Sequence, residues 1–208
     1  MTIIGLISDV HATPGPVAEA ISIFANEGAQ NIFCAGDIAG YREQLDETVE
    51  LLVENNCRCV LGNHDLLYLD HFGDDTDDMA VTYFRQLPTA IDTRIDGKQV
   101  YMVHAHPPNA CHGGIKLLNR FGKIETDQLD HWEKQLETFT YEVLIVGHTH
   151  QVFAEYIGNT LVINPGSSAF NHSCMILRLP EMTTQVFPLS GKGVERTWNW
   201  GEYMVGDR

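Results

Sequence analysis

The chain has 208 residues, enough for a single α/β domain with a substantial core, and its 44% hydrophobic and 20% charged residues indicate a soluble globular protein. The net charge of −15 argues against binding along a nucleic-acid backbone, which requires a basic surface. A small phosphate substrate is compatible with this charge, because bound metal ions can supply positive charge locally. We expect no membrane span and no signal peptide, since the N-terminal apolar run is short and lacks a basic leader.

The cysteine pattern favours a reducing compartment. The number of cysteines is odd and no Cys-x-x-Cys pair occurs, which is typical of buried or reduced thiols rather than of a disulfide framework. We therefore predict a cytoplasmic protein in which the thiols have no metal or redox role. The cysteines are Cys34, Cys57, Cys59, Cys111 and Cys174.

The first third of the chain alternates predicted strands and helices. An apolar strand starts at Ile3 and ends abruptly in Asp9 and His11. The elements that follow are a helix around 17–24, a strand at 31–35, a helix around 45–53 and a short strand at 58–61. This order predicts a parallel sheet with right-handed crossovers, in which ligands gather at the carboxyl ends of the strands.

The rest of the chain is less regular and contains two hairpin signals, Asp-Gly at 96–97 and Gly-Asn at 158–159. Residues 66–78 include an acidic run that we interpret as a solvated loop, and the tail from residue 190 has no clear period. Because no linker separates the elements, we predict one domain over residues 1–208. The remaining predicted elements are helices at 78–86 and 126–139 and strands at 90–95, 99–103, 143–146, 152–156, 160–163, 174–179 and 184–189.

Polar side chains that can bind metals directly follow five of the predicted strands. One histidine or one Gly-Asp at such a place is usually a structural residue or a turn. A packed core, however, has no use for several imidazoles and carboxylates near one point, since each buried polar group needs a partner. We therefore predict a metal site at this edge of the fold. The residues are Asp9, His11, Asp37, Asn63, His64, His104, His148 and His150.

The ligand types indicate which metals would bind. Carboxylate, imidazole and amide groups without a thiolate suit divalent manganese, iron, zinc, cobalt or nickel. The set is larger than one ion takes, so we expect two ions about 3.5–4 Å apart that share a bridging carboxylate. Such a pair activates a bridging hydroxide for in-line attack at phosphorus. The sequence therefore predicts a site for two metal ions that suits displacement at phosphorus, and manganese is the metal we favour among these.

These motifs resemble, in order and spacing, those of the calcineurin-like metallophosphoesterases over roughly residues 1–170. They are Asp-x-His at 9–11, Gly-Asp at 36–37, Gly-Asn-His-Asp at 62–65, a histidine at 104, Gly-His-x-His at 147–150 and Asn-Pro-Gly-Ser at 164–167. The segment Gly-Asp-Ile-Ala-Gly-Tyr at 36–41 is similar to the small single-domain bacterial and archaeal phosphodiesterase branch. The resemblance implies an α/β fold, a four-layer αββα sandwich of two mixed β-sheets flanked by helices.

The resemblance also implies a role for each matching residue. Asp37 matches the carboxylate that bridges the two ions. His64 matches the histidine that contacts the substrate phosphate and protonates the leaving group without binding metal, so that His64, Asn63 and Asp37 form the catalytic set. The residues matched to the first ion are Asp9, His11 and His150, and those matched to the second are Asn63, His104 and His148.

Two departures from the family pattern leave questions open. The residue after His104 is not the glycine that the family often has, which makes His106 a rival ligand; we favour His104 because it stands at the strand end. Gly40 stands where protein Ser/Thr phosphatases carry a second aspartate. This argues against a protein phosphatase and leaves open what orients His64, for which Asp65 is the adjacent candidate.

We expect a small phosphoester substrate, with diesters preferred to monoesters and with specificity set by loops near 66–80 and 105–125. The alternative within the enzyme class is a nucleotide phosphatase or a dinucleoside polyphosphate hydrolase. The alternative outside it is a scaffold on the same fold, like the retromer subunit that resembles this family but lacks the catalytic histidine; His64 favours the enzyme. The turn at 164–167 is interpreted as a support for the metal ligands. The oligomeric state is left open, a homo-oligomer included.

Overall fold

Two five-stranded mixed sheets form the centre of the computed structural model, which describes residues 1–75 and 77–198. The strands are β1 (Thr2–Ile7), β2 (Asn31–Cys34), β3 (Arg58–Cys59), β4 (Ala90–Ile95), β5 (Lys98–Val103), β6 (Val143–Ile145), β7 (Val152–Ile157), β8 (Thr160–Pro165), β9 (Ser173–Leu179) and β10 (Thr183–Pro188). The helices are α1 (Pro14–Asn26), α2 (Leu45–Glu54), α3 (Asn63–Phe72), α4 (Met79–Phe84) and α5 (Thr126–Gln135).

The first sheet has the order β10-β9-β1-β2-β3 and the second the order β4-β5-β6-β8-β7. In the first sheet β1, β2 and β3 run parallel, while β9 and β10 pair antiparallel. In the second sheet β5, β6 and β8 run parallel. The edge strand β4 forms an antiparallel hairpin with β5, and the other edge strand, β7, forms one with β8. The parallel N-terminal order and both hairpins are therefore confirmed.

Three apolar cores separate four layers. Phe24 and Leu52 belong to a core between the first sheet and helices α1, α2 and α4. Phe33 and Met102 belong to a second core that lies between the two sheets. On the outer face of the second sheet, Trp132 of α5 packs against the third core. The sandwich expected from the family resemblance is therefore confirmed.

Helix α3 and the short strand β3 differ from the sequence-based expectation. The segment after Asn63 was expected to be irregular, yet it forms a helix at once. Its only buried residue is Asp65, and Leu67 is exposed, so the apolar period that identifies a helix is missing. Strand β3 ends at Cys59, earlier than expected. The Val60 amide still donates to the Cys34 carbonyl over 3.2 Å, and the Leu61 amide donates to the Pro88 carbonyl over 2.9 Å.

The five cysteines form no disulfide. No helix in the described residues has the length and apolarity needed to cross a membrane. Thr76 of the acidic run and residues 199–208 of the predicted domain and tail lie outside the described residues.

Candidate metal centre

The carboxyl ends of β1, β2, β3, β5 and β6 meet at one edge of the sandwich, and the eight polar residues predicted there lie together. His11 and Asp37 each belong to two groups of close ligand atoms and so join the cluster into one. The groups, whose ligand atoms lie within 4.8 Å of one another, are Asp9–His11–His150, Asp37–His104–His148 and His11–Asp37–His64. The side-chain amide of Asn63 lies 3.1 Å from His104 Nε2 and 2.8 Å from His148 Nδ1.

The backbone of the cluster is strained at five of the predicted ligands. Their φ angles lie between 46° and 65°, in the left-handed region that costs a residue other than glycine about 1–3 kcal/mol. Hydrogen bonds between the loop after β1 and the loop after β2 hold this geometry. The Asp9 amide donates to the Gly36 carbonyl over 2.9 Å, and the His11 amide donates to the Asp37 carbonyl over 3.0 Å. Such strain is typical of functional sites. The five residues are Asp9, His11, Asp37, His148 and His150.

Asp65 fixes the β2 loop against the start of α3. Its fully buried carboxylate accepts hydrogen bonds from the amides of Ile38, Ala39 and Gly62 at 2.7–2.8 Å. Gly62 must be glycine here, because a Cβ atom would lie 2.1 Å from the Asp37 carboxylate. Asp65 therefore faces away from the His64 ring and does not orient it, although it was the adjacent candidate.

The second sheet contributes two of its candidate ligands through the turn that starts at Gly147. The His148 amide donates to both carboxylate oxygens of Asp9, at 3.0 and 3.1 Å. Asn164 donates to the Gly147 carbonyl over 2.9 Å, and the Ser167 hydroxyl donates to the Asp9 carbonyl over 2.6 Å. The turn at 164–167 thus contacts the ligand-bearing loops of both sheets.

The orientation of the imidazoles fits a bound cation. Nδ1 of His11 lies 3.1 Å from the Ala39 carbonyl, and Nδ1 of His104 lies 2.7 Å from the Ala35 carbonyl. With Nδ1 donating to these carbonyls, each Nε2 presents its lone pair to the cluster. Nε2 of His104 then faces a carboxylate oxygen of Asp37 at 3.3 Å. Both atoms are hydrogen-bond acceptors, so this contact is unfavourable unless a metal cation or a proton lies between them. The donor set therefore suits divalent metal ions.

The histidines of the cluster differ in the direction of their pKa shifts. Burial lowers the pKa of His11 and of His148 to about 4, which keeps both rings neutral, as metal ligands must be. Burial acts in the same direction on His104, but the attraction of Asp37 and their hydrogen bond outweigh it and raise the pKa of His104 to about 9. Burial opposes ionisation of Asp9 and Asp37, yet neighbouring histidines hold the pKa of both carboxyls below the ordinary value. His104 therefore carries a proton that a metal ion bound at this position would displace.

Two histidines whose roles the sequence left open occupy different surroundings. The His64 ring packs against Tyr41, with ring centroids 4.6 Å apart, and lies so close to Gly40 that a Cβ there would be 2.6 Å from its Nδ1. His106 turns away from the cluster: its Nδ1 faces the carbonyl of the next residue, and its ring packs on Trp132 at 5.6 Å. The geometry favours His104 over His106 as a ligand.

A pocket of about 460 Å³ opens beside the cluster and is lined by ligand candidates together with residues that sequence reasoning missed. Lys116, Arg120 and Trp198 are the most prominent of these. The loop at 105–125 thus contributes to the pocket as expected, whereas none of the described residues in 66–80 lines it. One signal was present in the sequence: the chain has only 13 basic residues, and three of them, Lys116, Arg120 and Lys123, come shortly after the Gly-Gly pair at 113–114.

Comparison with known proteins agrees with the geometry. Residues 1–179 match the family model of the calcineurin-like phosphoesterase superfamily domain. An uncharacterized protein of Methanocaldococcus jannaschii, MJ0912, is 29% identical over 182 residues, which cover 79% of this chain and 69% of that protein. The phosphodiesterase MJ0936 of the same archaeon is 25% identical over 170 residues, covering 78% of this chain and 82% of its own.

The fold is shared with solved structures as well. The hypothetical protein PH1004 from Pyrococcus horikoshii superimposes with a TM-score of 0.69 at 16% identity, over 100% of this chain and 92% of that one. Because the family model spans most of the sequence, the chain belongs to the calcineurin-like phosphoesterase superfamily.

Proposed function

We propose that the chain is a dinuclear metal-dependent phosphodiesterase. The observation that carries the proposal is the convergence of carboxylate, imidazole and amide ligand atoms from five strand ends into groups that His11 and Asp37 join. Membership of a phosphoesterase family supports hydrolysis of a phosphoester, and a relative at 25% identity is named a phosphodiesterase.

In this proposal the metal ligands come from both sheets, and Asp37 would help to hold each of the two ions. When bound, two divalent cations supply an activated water at neutral pH and neutralise charge that develops on the phosphate oxygens. Mn²⁺ is the favoured ion, and Fe²⁺, Zn²⁺, Ni²⁺ and Co²⁺ suit the same donors. The residues that would hold one ion are Asp9, His11 and His150, and those that would hold the other are Asn63, His104 and His148.

His64 is the proposed proton donor to the leaving oxygen. It lines the pocket beside Asp37 and stands in the first turn of α3, so the positive end of the helix dipole lies at the same place. An imidazole is the side chain best suited to proton transfer near neutral pH. Its ring atoms also lie within reach of His11 and Asp37, so a ligand role is the competing assignment.

The test is hydrolysis of chromogenic esters by protein stripped of metal with a chelator and then reloaded with single divalent ions. We expect bis-p-nitrophenyl phosphate to be hydrolysed with a higher kcat/KM than p-nitrophenyl phosphate, most strongly with Mn²⁺, and both activities to disappear after chelation. Preference for the monoester would favour a nucleotide phosphatase. No hydrolysis with any ion would favour the non-catalytic scaffold.

The bridging role of Asp37 has its own test. We expect Asp37→Asn to lose both ions, because the amide removes the negative charge that the two cations would share. Metal analysis after gel filtration measures the stoichiometry. The matched control is Asp70→Asn, which changes an exposed carboxylate on α3 and should retain two ions. Two ions still bound to Asp37→Asn would reject the bridge.

A further inference from the structure

The pocket beside the metal cluster has a cationic wall that hydrolysis of a simple diester does not require. Lys116 and Arg120 both line the pocket, and Asp37 is the only acidic side chain that does so among residues 1–75 and 77–198. The chain as a whole has 28 acidic and 13 basic residues. Two cations facing one pocket of such a protein create a local positive potential that attracts anions.

Among residues 1–75 and 77–198, neither cation is neutralised by an acidic side chain, since no carboxylate there forms an ion pair with Lys116 or Arg120. The guanidinium of Arg120 instead lies 4.7 Å from the centroid of the Phe121 ring. Both side chains are exposed and so available to an anion in the pocket.

The backbone that carries Lys116 is fixed relative to the metal ligands. Its neighbours Ile115 and Leu117 are fully buried, which leaves Lys116 on the pocket side of the loop. The side chain of Gln151 accepts hydrogen bonds from the amides of Leu117 and Leu118 at 2.8 and 2.9 Å and donates to the Leu118 carbonyl over 2.7 Å. Gln151 directly follows the ligand candidate His150, so the cationic loop and the metal site are held together.

The described end of the chain closes a third side of the pocket. The Thr197 hydroxyl donates to the Arg120 carbonyl over 3.3 Å, and the Trp198 amide donates to the His150 carbonyl over 3.1 Å. The Trp198 ring stacks on Phe170, with centroids 4.2 Å apart and an angle of 16° between the planes. The pocket therefore has a metal-ligand side, a cationic side and an aromatic side, each anchored to the others.

From this arrangement we propose that Lys116 and Arg120 form a subsite for a second phosphate group of the substrate. The inference rests on the proposed function and narrows its substrate class to phosphoesters that carry a further phosphate. A phosphate offers more charge and more acceptor oxygens to Lys and Arg than a carboxylate does. The second phosphate can belong to an oligophosphate chain or to a sugar, and both present the same chemistry to the two cations.

Three esters with the same leaving group test the subsite. The p-nitrophenyl ester of thymidine 5′-phosphate carries one phosphate, its 3′-phosphorylated form adds one on the sugar, and the p-nitrophenyl ester of thymidine 5′-triphosphate adds two in the chain. With Mn²⁺-loaded wild type we expect at least one of the latter two to have a kcat/KM about ten-fold higher, mainly through a lower KM. The preference should weaken as salt is added, because both cations are exposed.

The double variant K116Q/R120Q should reduce this kcat/KM ratio to about one, since the anion loses both partners. The matched control R94Q/K134Q removes two exposed cations outside the pocket and should keep the ratio, which separates the subsite from the effect of net charge. Equal kcat/KM for all three esters, or a ratio that survives in K116Q/R120Q, would overturn the subsite alone. No metal-dependent hydrolysis of any ester would overturn the proposed function and the subsite with it.

Discussion

At the scale of single residues, packing rather than hydrogen bonding orients the His64 ring. No hydrogen bond to the ring is present in the part of the chain that the structure describes, and the ring lies between Tyr41 and His11, at centroid distances of 4.6 and 5.1 Å. Gly40 makes this possible, because any side chain there would collide with the imidazole. The aspartate of protein phosphatases at this position would thus be replaced here by close van der Waals contact with the backbone and an aromatic ring.

We predict that His64→Ala keeps both metal ions but lowers kcat for bis-p-nitrophenyl phosphate by about 10²–10⁴-fold, the usual contribution of a positioned acid. Metal analysis and steady-state kinetics of the same sample measure the two quantities. His71→Ala, an exposed histidine on the same helix, is the control and should match wild type in both. Unchanged turnover would rule out the acid role, and loss of an ion would identify His64 as a ligand.

At the scale of elements, a helix or strand could be predicted where its apolar residues recur at the spacing typical of that element. The strand ends of the site were predictable, because a buried apolar run that stops in Asp-x-His or Gly-His-x-His leaves few other interpretations. Helix α3 was missed because its single buried residue is the charged Asp65. Lys116 and Arg120 were missed for a related reason: they lie in a loop whose position is set by hydrogen bonds to Gln151 and Thr197, distant in sequence.

Asp65 joins the start of α3 to the loop after β2, and its loss should lower both stability and metal affinity. We predict that Asp65→Ala lowers the free energy of unfolding of the metal-free protein by about 3 kcal/mol, because three buried amides lose their acceptor. Urea unfolding measures this loss, and Mn²⁺ titration should show weakened binding. The control Asp70→Ala removes an exposed carboxylate from the same helix and should change stability by less than about 0.5 kcal/mol. Equal stabilities of the two variants would contradict the role.

At the scale of the whole molecule, the candidate metal ligands lie across the seam between the two sheets. Asp9 and Asp37 follow strands of the first sheet, whereas His104, His148 and His150 follow strands of the second. The sequence could predict which polar residues lie together at this seam and the parallel order of β1–β3. The pairing of the second sheet could not be predicted from local patterns, since β6 pairs with β5 and with β8 across long intervening segments, and the family resemblance supplied the sandwich instead.

Because the proposed metal site is assembled only in the folded chain, we expect divalent ions to stabilise the fold. Mn²⁺ at about a hundred times its dissociation constant adds about 2.7 kcal/mol per site, or about 5–10 °C in Tm. The gain should depend on pH. The proton on His104, whose pKa is raised from 6.5 to about 9, stabilises the metal-free fold fully below pH 6.5, and this contribution is lost as pH rises through 9. Since the ion must displace that proton, the Mn²⁺-induced rise in Tm should be larger at pH 8.5 than at pH 6.5.

The histidine two residues further on provides the comparison for this prediction. His104→Gln removes both the proton and a ligand, so its Tm should gain little from Mn²⁺ and show no steepening with pH. His106→Gln changes a ring that packs on Trp132 outside the cluster, and should respond to Mn²⁺ as wild type does. Thermal unfolding with and without Mn²⁺ at the two pH values distinguishes them. The structure favours His104 as the ligand, because its Nε2 lies 3.3 Å from the Asp37 carboxylate across the seam. If His106→Gln lost the response and His104→Gln kept it, the ligand at the end of β5 would have to be reassigned.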